Sequence, residues 1–422
     1  MSKGTFHIKT FGCQMNMYDS GKMADILISD GYAQTDDAQA ADVLIFNTCH
    51  IREKASEKLF SELGTVRKLP SVKVVAGCVA QAQDELVIKR APFVDIIVGP
   101  LMYHKLPELL KQKQKAVATE FPSESKFDFL SMPSGRSKFS EFIAVQEGCD
   151  RFCSYCVVPY VRGAEYSRPP AEILAEARHL VSNGAKEITV IGQNVNAYHG
   201  GGKTLEYLLY KLAELDGLLR IRYTTSYPGA MTDQLMAAHK EIPKLMPFLH
   251  MPIQSGSDRV LRAMNRKYTV DQYVETVDKL KQMCPDMAIS SDFITGFPGE
   301  TEEDFQQTLS LLDRVSFASY FAFKFSARPG TAAADLPKQV DESVKKQRLA
   351  QLQKPLNQQR LRFNSGFAGK TVPVLMTGET HGYSPHMQVV NIKGLACKEG
   401  DMVNLKISRA GVNSLVAEGF DS

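Results

Sequence analysis

Phe142-Ile143-Ala144-Val145-Gln146-Glu147-Gly148-Cys149-Asp150-Arg151-Phe152-Cys153-Ser154-Tyr155-Cys156 carries the decisive pattern of this chain. A strand-length apolar run is followed by three cysteines within eight residues, at C-x3-C-x2-C spacing. Cysteines this close bridge one another poorly, and three of them leave an odd thiol. They can instead wrap one face of a compact cluster. Four-iron clusters usually take four cysteine thiolates, so a set of three leaves one iron open to another ligand. The alternative is a three-cysteine zinc site with His199 or His250 as fourth ligand, although zinc ligands usually come as paired C-x2–4-C spacings.

Downstream, strand-like runs recur at 188–191, 221–225, 248–251, 288–293 and 321–325, with helical patterns such as 171–182 and 303–315 between them. Together with the 142–146 strand they make six β/α units. In β/α barrels the chemistry sits at the carboxyl ends of the strands. Cys149, Gln193, Ser226, Gln254 and Asp292 fall near such ends.

Upstream, the same logic recurs with different spacing. The runs His7-Ile8-Lys9-Thr10-Phe11, Asp42-Val43-Leu44-Ile45-Phe46 and Val72-Lys73-Val74-Val75-Ala76 end at Gly12-Cys13, Asn47-Thr48-Cys49 and Gly77-Cys78. Helical patterns at 20–29 and 52–67 lie between, and a further strand at 94–98 carries no cysteine. This alternation implies a doubly wound parallel sheet. Ligands bind at the carboxyl edge of such sheets, where all three cysteines fall, so they are read as a three-thiolate metal site with an open position. Cys284 and Cys397 are expected to be structural.

The whole chain bounds these readings. Its 422 residues suggest two to three domains at about 150 residues each, and 44% hydrophobic with 23% charged residues is ordinary for a globular protein. Net charge is +3, which neither demands nor excludes nucleic acid. No apolar run approaches the roughly 18 residues of a membrane span, and no secretory signal is visible, so a cytoplasmic protein without membrane association is expected. Eight cysteines are too few for a disulfide scaffold. Residues 120–140, rich in Pro and Ser, read as a linker. Residues 343–366 carry Lys345, Lys346, Arg348, Lys354, Arg360 and Arg362 without an acid: a solvated helix or a phosphate-contacting face. From Thr371 the pattern turns to short strands suited to a small closed β-barrel. No Ser-His-Asp set, P-loop or dinucleotide glycine motif appears.

On these residues the chain resembles a known family. The C-x3-C-x-aromatic-C run, with Tyr155 as its aromatic, is similar to the signature of radical S-adenosylmethionine enzymes. With Cys13, Cys49 and Cys78 it resembles the methylthiotransferases, which carry a second cluster on an N-terminal domain. Supporting runs are Val157-Val158-Pro159-Tyr160-Val161-Arg162-Gly163 with Glu165, Ser167 and Arg168, then Gln254-Ser255-Gly256-Ser257, Gly296-Phe297-Pro298-Gly299-Glu300-Thr301 and Arg328-Pro329-Gly330-Thr331. Gly12-Cys13-Gln14-Met15-Asn16 and Asn47-Thr48-Cys49-His50-Ile51-Arg52-Glu53-Lys54-Ala55 resemble the branch that makes 2-methylthio-N6-dimethylallyladenosine at tRNA position 37.

The resemblance implies an N-terminal methylthiotransferase domain over 1–119, a linker over 120–140 and a partial (β/α)6 radical SAM barrel over 141–342. A basic helical connector over 343–366 and a TRAM-like β domain over 367–422 complete it. In that last domain five basic residues are cancelled by five acidic ones, and Tyr383 stands where an Arg is often found. By resemblance, Cys149, Cys153 and Cys156 hold a [4Fe-4S] cluster whose free iron binds S-adenosylmethionine. One electron then yields a 5′-deoxyadenosyl radical, which takes hydrogen from adenine C2. Cys13, Cys49 and Cys78 hold a second [4Fe-4S] cluster that presents the sulfur, which a second S-adenosylmethionine methylates. Tyr155 stands against the cofactor adenine, and Gln193, Gln254, Ser255 and Asp292 are candidate cofactor contacts. Arg162, Glu165 and Arg168 either orient cofactor or substrate or form an ion-pair network. The implied partners are tRNA, a one-electron donor such as flavodoxin or ferredoxin, and a sulfur donor, with the chain a monomer. Alternative substrates are threonylcarbamoyl-adenosine in tRNA or a ribosomal protein aspartate. A different class is an RNA-binding protein with structural zinc.

Overall fold

A computed structural model describes residues 3–50, 53–130, 137–394 and 396–418. Ile51, Arg52 and the Pro133-Ser134-Gly135 end of the expected linker lie outside the described residues. Six parallel strands form the N-terminal sheet: β1 (Thr5–Phe11), β2 (Ala33–Gln34), β3 (Val43–Thr48), β4 (Val72–Ala76), β5 (Ile96–Val98) and β6 (Ala116–Ala118). Their order is β2-β1-β3-β4-β5-β6. Apolar cores cover both faces, one around Phe6, Leu27, Ile45 and Val74, the other around Leu44, Phe46, Leu59 and Val75. Sheets buried on both faces need continuous apolar runs, and every residue of β3 is buried. Strand order reverses between β1 and β3, which is where open α/β sheets bind ligands.

The first helix spans Gln14–Ser29, six residues earlier than the 20–29 pattern suggests. Asn16 starts it there: its Oδ1 accepts from the Cys13 N–H at 3.2 Å, while Met15 and Tyr18 are buried.

The second unit begins with β7 (Ser140–Ala144). A short antiparallel ribbon, β8 (Gln146–Glu147) with β9 (Tyr166–Ser167), flanks the cysteine loop. Five further strands follow: β10 (Glu187–Ile191), β11 (Arg220–Tyr223), β12 (Phe248–His250), β13 (Ala288–Thr295) and β14 (Ser319–Lys324). They form two parallel three-stranded sheets, β11-β10-β7 and β12-β13-β14, joined by a parallel bridge from Ile221 to Leu245. The result is an open six-stranded barrel. Its helices pack outside through Ile173, Leu208 and Tyr273 against Ile188, Val190, Leu249 and Phe293.

The third unit is a closed barrel of β15 (Thr371–Met376), β16 (His381–Tyr383), β17 (Val389–Lys393), β18 (Met402–Ala410) and β19 (Ser414–Glu418), in the order β15-β16-β17-β19-β18. It docks on residues that begin the central strands. Arg220 donates to the carbonyls of Tyr383 (2.8 Å) and Pro373 (2.7 Å), and Lys186 to that of Gly400 (2.7 Å). The small barrel therefore sits at the amino ends of the strands, opposite the edge that bears the cysteines.

The basic stretch forms the helix Glu342–Ser365. Lys345 and Arg348 are buried in it, and Arg348 pairs with Glu300 at 2.8 Å. Only part of its charge therefore faces solvent, through Lys346, Lys354 and Arg362.

The described part of the 120–140 segment is not a free linker. Lys126 is 1% exposed and bonds Asp19 (3.0 Å) and Glu147 (2.8 Å), and both carboxylates also meet Arg162, at 2.7 and 2.6 Å. Buried charges are tolerated only when paired and hydrogen-bonded. This four-residue knot ties the N-terminal unit, the strap and the barrel together. A second tie links Lys22 and Tyr18 of the first helix to Glu176 and Arg168. Among the described residues, no helix is long and apolar enough to cross a membrane.

Candidate functional site

Cys13, Cys49 and Cys78 follow β1, β3 and β4, and the fold brings them together over the strand-order reversal. Two buried carboxamides lock the loops. Asn16 Nδ2 donates to Asn47 Oδ1 at 3.1 Å, and Asn47 Nδ2 donates to the Asn16 carbonyl at 2.8 Å and to Ser20 Oγ at 2.9 Å. Gly77, at φ +87°, has no room for a side chain: a Cβ would stand 2.2 Å from Asn47 Oδ1. A hydrogen bond from the Cys49 thiol pulls the Cys13 thiol down to about 6 despite burial, with help from the Arg162 charge. Burial pushes the Cys78 thiol up, and Arg162 hydrogen-bonds it.

The second set occupies the loop between β8 and β9. Gly148, at φ +76°, makes the entry turn; a Cβ there would lie 2.0 Å from the Ala164 carbonyl oxygen. Gln193 supports this turn, its Oε1 accepting from the Gly148 N–H at 2.8 Å. Burial pushes the Cys149 thiol up and the Cys156 thiol up to about 12. Burial thus opposes the thiolates of Cys149 and Cys156, and the positive charge of a metal centre would favour them. In a four-iron cluster each sulfur binds a different iron, so the sulfurs need not converge on one point. Among the described residues, no group of three or more His, Cys, Asp or Glu is arranged to chelate a single ion. His199 and His250, the candidates for a fourth zinc ligand, are engaged elsewhere: His199 with Ala197 O and Glu165, His250 with Ser290 and Asp292. The second set therefore suits iron–sulfur ligation better than zinc.

Both sets face the carboxyl end of the barrel. Thr224, just past β11, donates to Gln14 at 3.1 Å. His50, beside Cys49, lines a cavity of about 270 Å³ shared with Ser326, Arg328 and Pro329, which follow β14. A neighbouring cavity of about 230 Å³ joins His50 to Gln81, Val157 and Tyr160. Among the described residues the buried His50 Nδ1 has no hydrogen-bond partner, and burial holds its pKa below the usual histidine range.

The residues expected at the cofactor divide into two groups. Tyr155 packs against Val260, Met264, Phe297 and Phe325 beside the cysteine loop. Gln254 lies past β12 at φ +76°, in the left-handed region that side chains disfavour, and pairs by backbone with Phe293. Such outliers cluster at functional sites. Asp292 is not at a strand end, because β13 continues to Thr295. It faces His250 at 3.5 Å and is in register with Phe321, an exposed aromatic edge-on to His250. Ser255 turns away: its hydroxyl lies 3.4 Å from Thr308 Oγ1 and accepts from the Ser257 N–H. Arg162 and Arg168 belong to the buried ion-pair knots, while Glu165 lies 3.4 Å from Asn194 Nδ2.

Sequence reading missed Asn16, Asn47 and the turn 263–266. That turn grips the cysteine loop from the far side. Ser154 N donates to Met264 O (3.1 Å), Ser154 Oγ to Ala263 O (2.8 Å), and Asn265 Nδ2 to Phe152 O (2.9 Å). Asn16 and Asn47 stand within the quoted runs around Cys13 and Cys49, but no role was read for them, and nothing local in the sequence marks the 263–266 turn.

Comparison with known proteins agrees with this layout. The radical SAM superfamily matches residues 143–312, and a family described as Uncharacterized protein family UPF0004 matches residues 5–99. A tRNA-2-methylthio-N(6)-dimethylallyladenosine synthase from Sphingopyxis alaskensis is 48% identical over 435 residues, covering 99% of this chain and 98% of that protein. Among solved structures, the radical S-adenosylmethionine methyltransferase TsrM from Kitasatospora setae, with cobalamin and a [4Fe-4S] cluster bound, matches 79% of this chain and 77% of its own, at TM-score 0.60 and 14% identity. The cobalamin-dependent S-adenosylmethionine radical enzyme OxsB matches 83% of this chain and 55% of its own, at TM-score 0.55 and 12% identity. At such identities these two structures speak for the fold alone. The full-length sequence match, on a fold that sets two cysteine triplets at one barrel mouth, decides the family: the chain belongs to the tRNA-2-methylthio-N(6)-dimethylallyladenosine synthases, within the radical SAM superfamily.

Proposed function

We propose that this chain installs a methylthio group at C2 of N6-dimethylallyladenosine beside the tRNA anticodon. The observation that carries the reading is the placement of two three-cysteine sets at one barrel mouth, in a chain 48% identical throughout to a synthase of that nucleoside. As a radical SAM enzyme the chain uses S-adenosylmethionine and a [4Fe-4S] cluster. We assign Cys149, Cys153 and Cys156 to that cluster, and Cys13, Cys49 and Cys78 to a second one. Adenine C2–H is neither acidic nor easily displaced, and the bound cluster with S-adenosylmethionine supplies one-electron chemistry that side chains lack.

The chain's own residues position and shield. Gln193 holds the entry turn of the cysteine loop. Tyr155 and Gln254 are assigned to the cofactor; Asp292 and His250 face the barrel interior, where they orient cofactor or base. His50, neutral through burial, borders the cavities by which a base would approach Cys49. Residues 1–119 act as the sulfur-presenting unit, 120–140 as its strap, 141–342 as the barrel, 343–366 as a connecting helix and 367–422 as an RNA-binding domain. A flavodoxin- or ferredoxin-like donor supplies the electron and a separate donor replenishes sulfur, with the chain acting as a cytoplasmic monomer.

Nucleoside mass spectrometry tests this. Reconstituted protein, S-adenosylmethionine and reductant, incubated with prenylated and unthiolated tRNA, should add a methylthio group to the prenylated adenosine only. Turnover to 5′-deoxyadenosine without that product would move the substrate assignment to threonylcarbamoyl-adenosine tRNA or a ribosomal protein aspartate. Colourless, zinc-loaded protein from anaerobic purification would overturn the radical chemistry.

A further inference from the structure

Arg266 completes the turn that grips the cysteine loop. Its Nη1 donates to Cys153 Sγ at 3.4 Å and its Nη2 to the Pro252 carbonyl at 3.1 Å. The guanidinium lies over the rings of Tyr227 and Tyr268, at 5.1 and 5.5 Å from their centroids. Tyr268 is fixed in turn, its hydroxyl 3.2 Å from Pro252 O and 3.0 Å from Ile253 O. Arg266 is 9% exposed, and among the described residues its buried Nε has no hydrogen-bond partner.

What sets this arginine apart is its missing counter-charge. Arg162, Arg168, Arg222 and Arg348 are equally buried, and each faces a carboxylate. Arg220 is satisfied by two backbone carbonyls. Among the described residues, no carboxylate lies within ion-pair distance of Arg266. A buried cation without a counter-charge is strongly destabilising. Among the described residues, the anions within reach are the sulfurs of the cysteine loop once they are thiolates. Protein sulfurs in iron–sulfur sites receive N–H···S hydrogen bonds, and these, with local charge, set the reduction potential.

We propose that Arg266 is the built-in counter-charge of the cluster held by Cys149, Cys153 and Cys156, and that its hydrogen bond to Cys153 raises that cluster's reduction potential. The inference rests on the assignment of those three cysteines to a [4Fe-4S] cluster. Adding one electron makes the cluster more negative, so a fixed cation and an N–H donor at its sulfur stabilise the reduced state more than the oxidised one. Arg266 is thus a positioning residue: it acts through Cys153 and makes the electron from the one-electron donor easier to accept.

The test uses the full chain carrying Cys13→Ala, Cys49→Ala and Cys78→Ala, so that one cluster gives the signal. In this background Arg266→Lys keeps a charge but loses the planar fork, and Arg266→Met removes both charge and donor. Potentiometric titration with electron paramagnetic resonance of the reduced cluster should show unchanged iron per chain. The midpoint should move negative, further for Met than for Lys. Reconstitution in heavy water should also reveal, with Arg266 intact, an exchangeable deuteron coupled to the reduced cluster that is lost in Arg266→Met. If the Met variant does not fold, the Lys midpoint and that deuteron decide the matter. An unmoved midpoint in an iron-replete variant would overturn the proposal, as would absence of the deuteron, or loss of iron from a folded variant, which would mark a purely structural grip. Failure of the Arg266 chain itself to bind iron at these cysteines would sink the cluster assignment as well, and so is distinguishable.

Discussion

Asn16 and Asn47 show how much a site can depend on residues that do no chemistry. Each is fully buried; the Asn47 carboxamide is satisfied by the Asn16 loop and Ser20, while Asn16 joins Asn47 through Nδ2 and Cys13 through Oδ1. Asn47→Leu would leave the Asn16 amide unpaired, at a cost of about 1–3 kcal/mol. Thermal unfolding should register that loss, and iron per chain should fall toward the content of the second set alone; full iron at both sets would show the carboxamides to be dispensable. His239 offers a pH test at the same scale. It bonds the Tyr223 hydroxyl at 2.8 Å, and burial pushes its pKa from 6.5 down to about 4. Between those values the unfolded chain binds a proton that the folded chain refuses, so stability falls as pH falls. The slope is about 1.4 kcal/mol per pH unit. Melting temperatures between pH 6.5 and 4 should therefore drop more steeply in the native chain than in His239→Gln, whereas parallel curves would mean that His239 takes up its proton in the fold.

At the scale of elements, the strap around Lys126 carries more stability than its sequence suggests. Lys126→Met leaves Asp19 and Glu147 sharing one cation, Arg162. Breaking a buried pair in this way costs about 3–5 kcal/mol. The variant should melt earlier and be cleaved faster at 120–130 by a protease. Adding Glu147→Gln to restore neutrality should recover part of the loss, and no recovery would show that packing rather than charge is at stake. The strap also explains where sequence reading succeeded and where it stopped. β3 and β4 were legible because a strand buried on both faces must be apolar throughout, and the glycines and cysteines after them marked the strand ends. The six barrel strands followed from the same pattern. Ala33–Gln34, Ala116–Ala118 and His381–Tyr383 were not legible, since such short strands are defined by the neighbour they pair with. A lysine in a Pro- and Ser-bearing stretch reads as solvated, and nothing local announces that Asp19, Glu147 and Arg162 come from three other segments to meet it. The two cysteine triplets could be found by spacing alone. The carboxamides, the 263–266 turn and the direction of the Ser255 hydroxyl depend on tertiary contacts.

The whole molecule places its two cysteine sets at one end of the central barrel and its small β-barrel at the other. RNA that touches both must run along the flank of the molecule. Exposed Lys346, Lys354 and Arg362 on the connecting helix can meet phosphates there, which suits positioning without base readout. At the mouth the N-terminal unit is fastened by the Asp19–Lys126–Glu147–Arg162 knot and by Gln14 to Thr224, so the two cysteine sets keep a fixed relation while each is held by its own loops. That separation predicts a division of labour between two single substitutions. Cys153→Ala should abolish conversion of S-adenosylmethionine to 5′-deoxyadenosine, and with it all methylthio product. Cys49→Ala should retain part of the 5′-deoxyadenosine yield, because the loop from Cys149 to Cys156 is held by Gln193, Ala263, Met264 and Asn265 rather than by the N-terminal unit. It should form no methylthio nucleoside. Both products can be measured in one reaction by liquid chromatography and mass spectrometry. Methylthio product from Cys49→Ala would refute separate roles for the two sets; loss of 5′-deoxyadenosine in that variant would mean that the knot transmits damage from one set to the other.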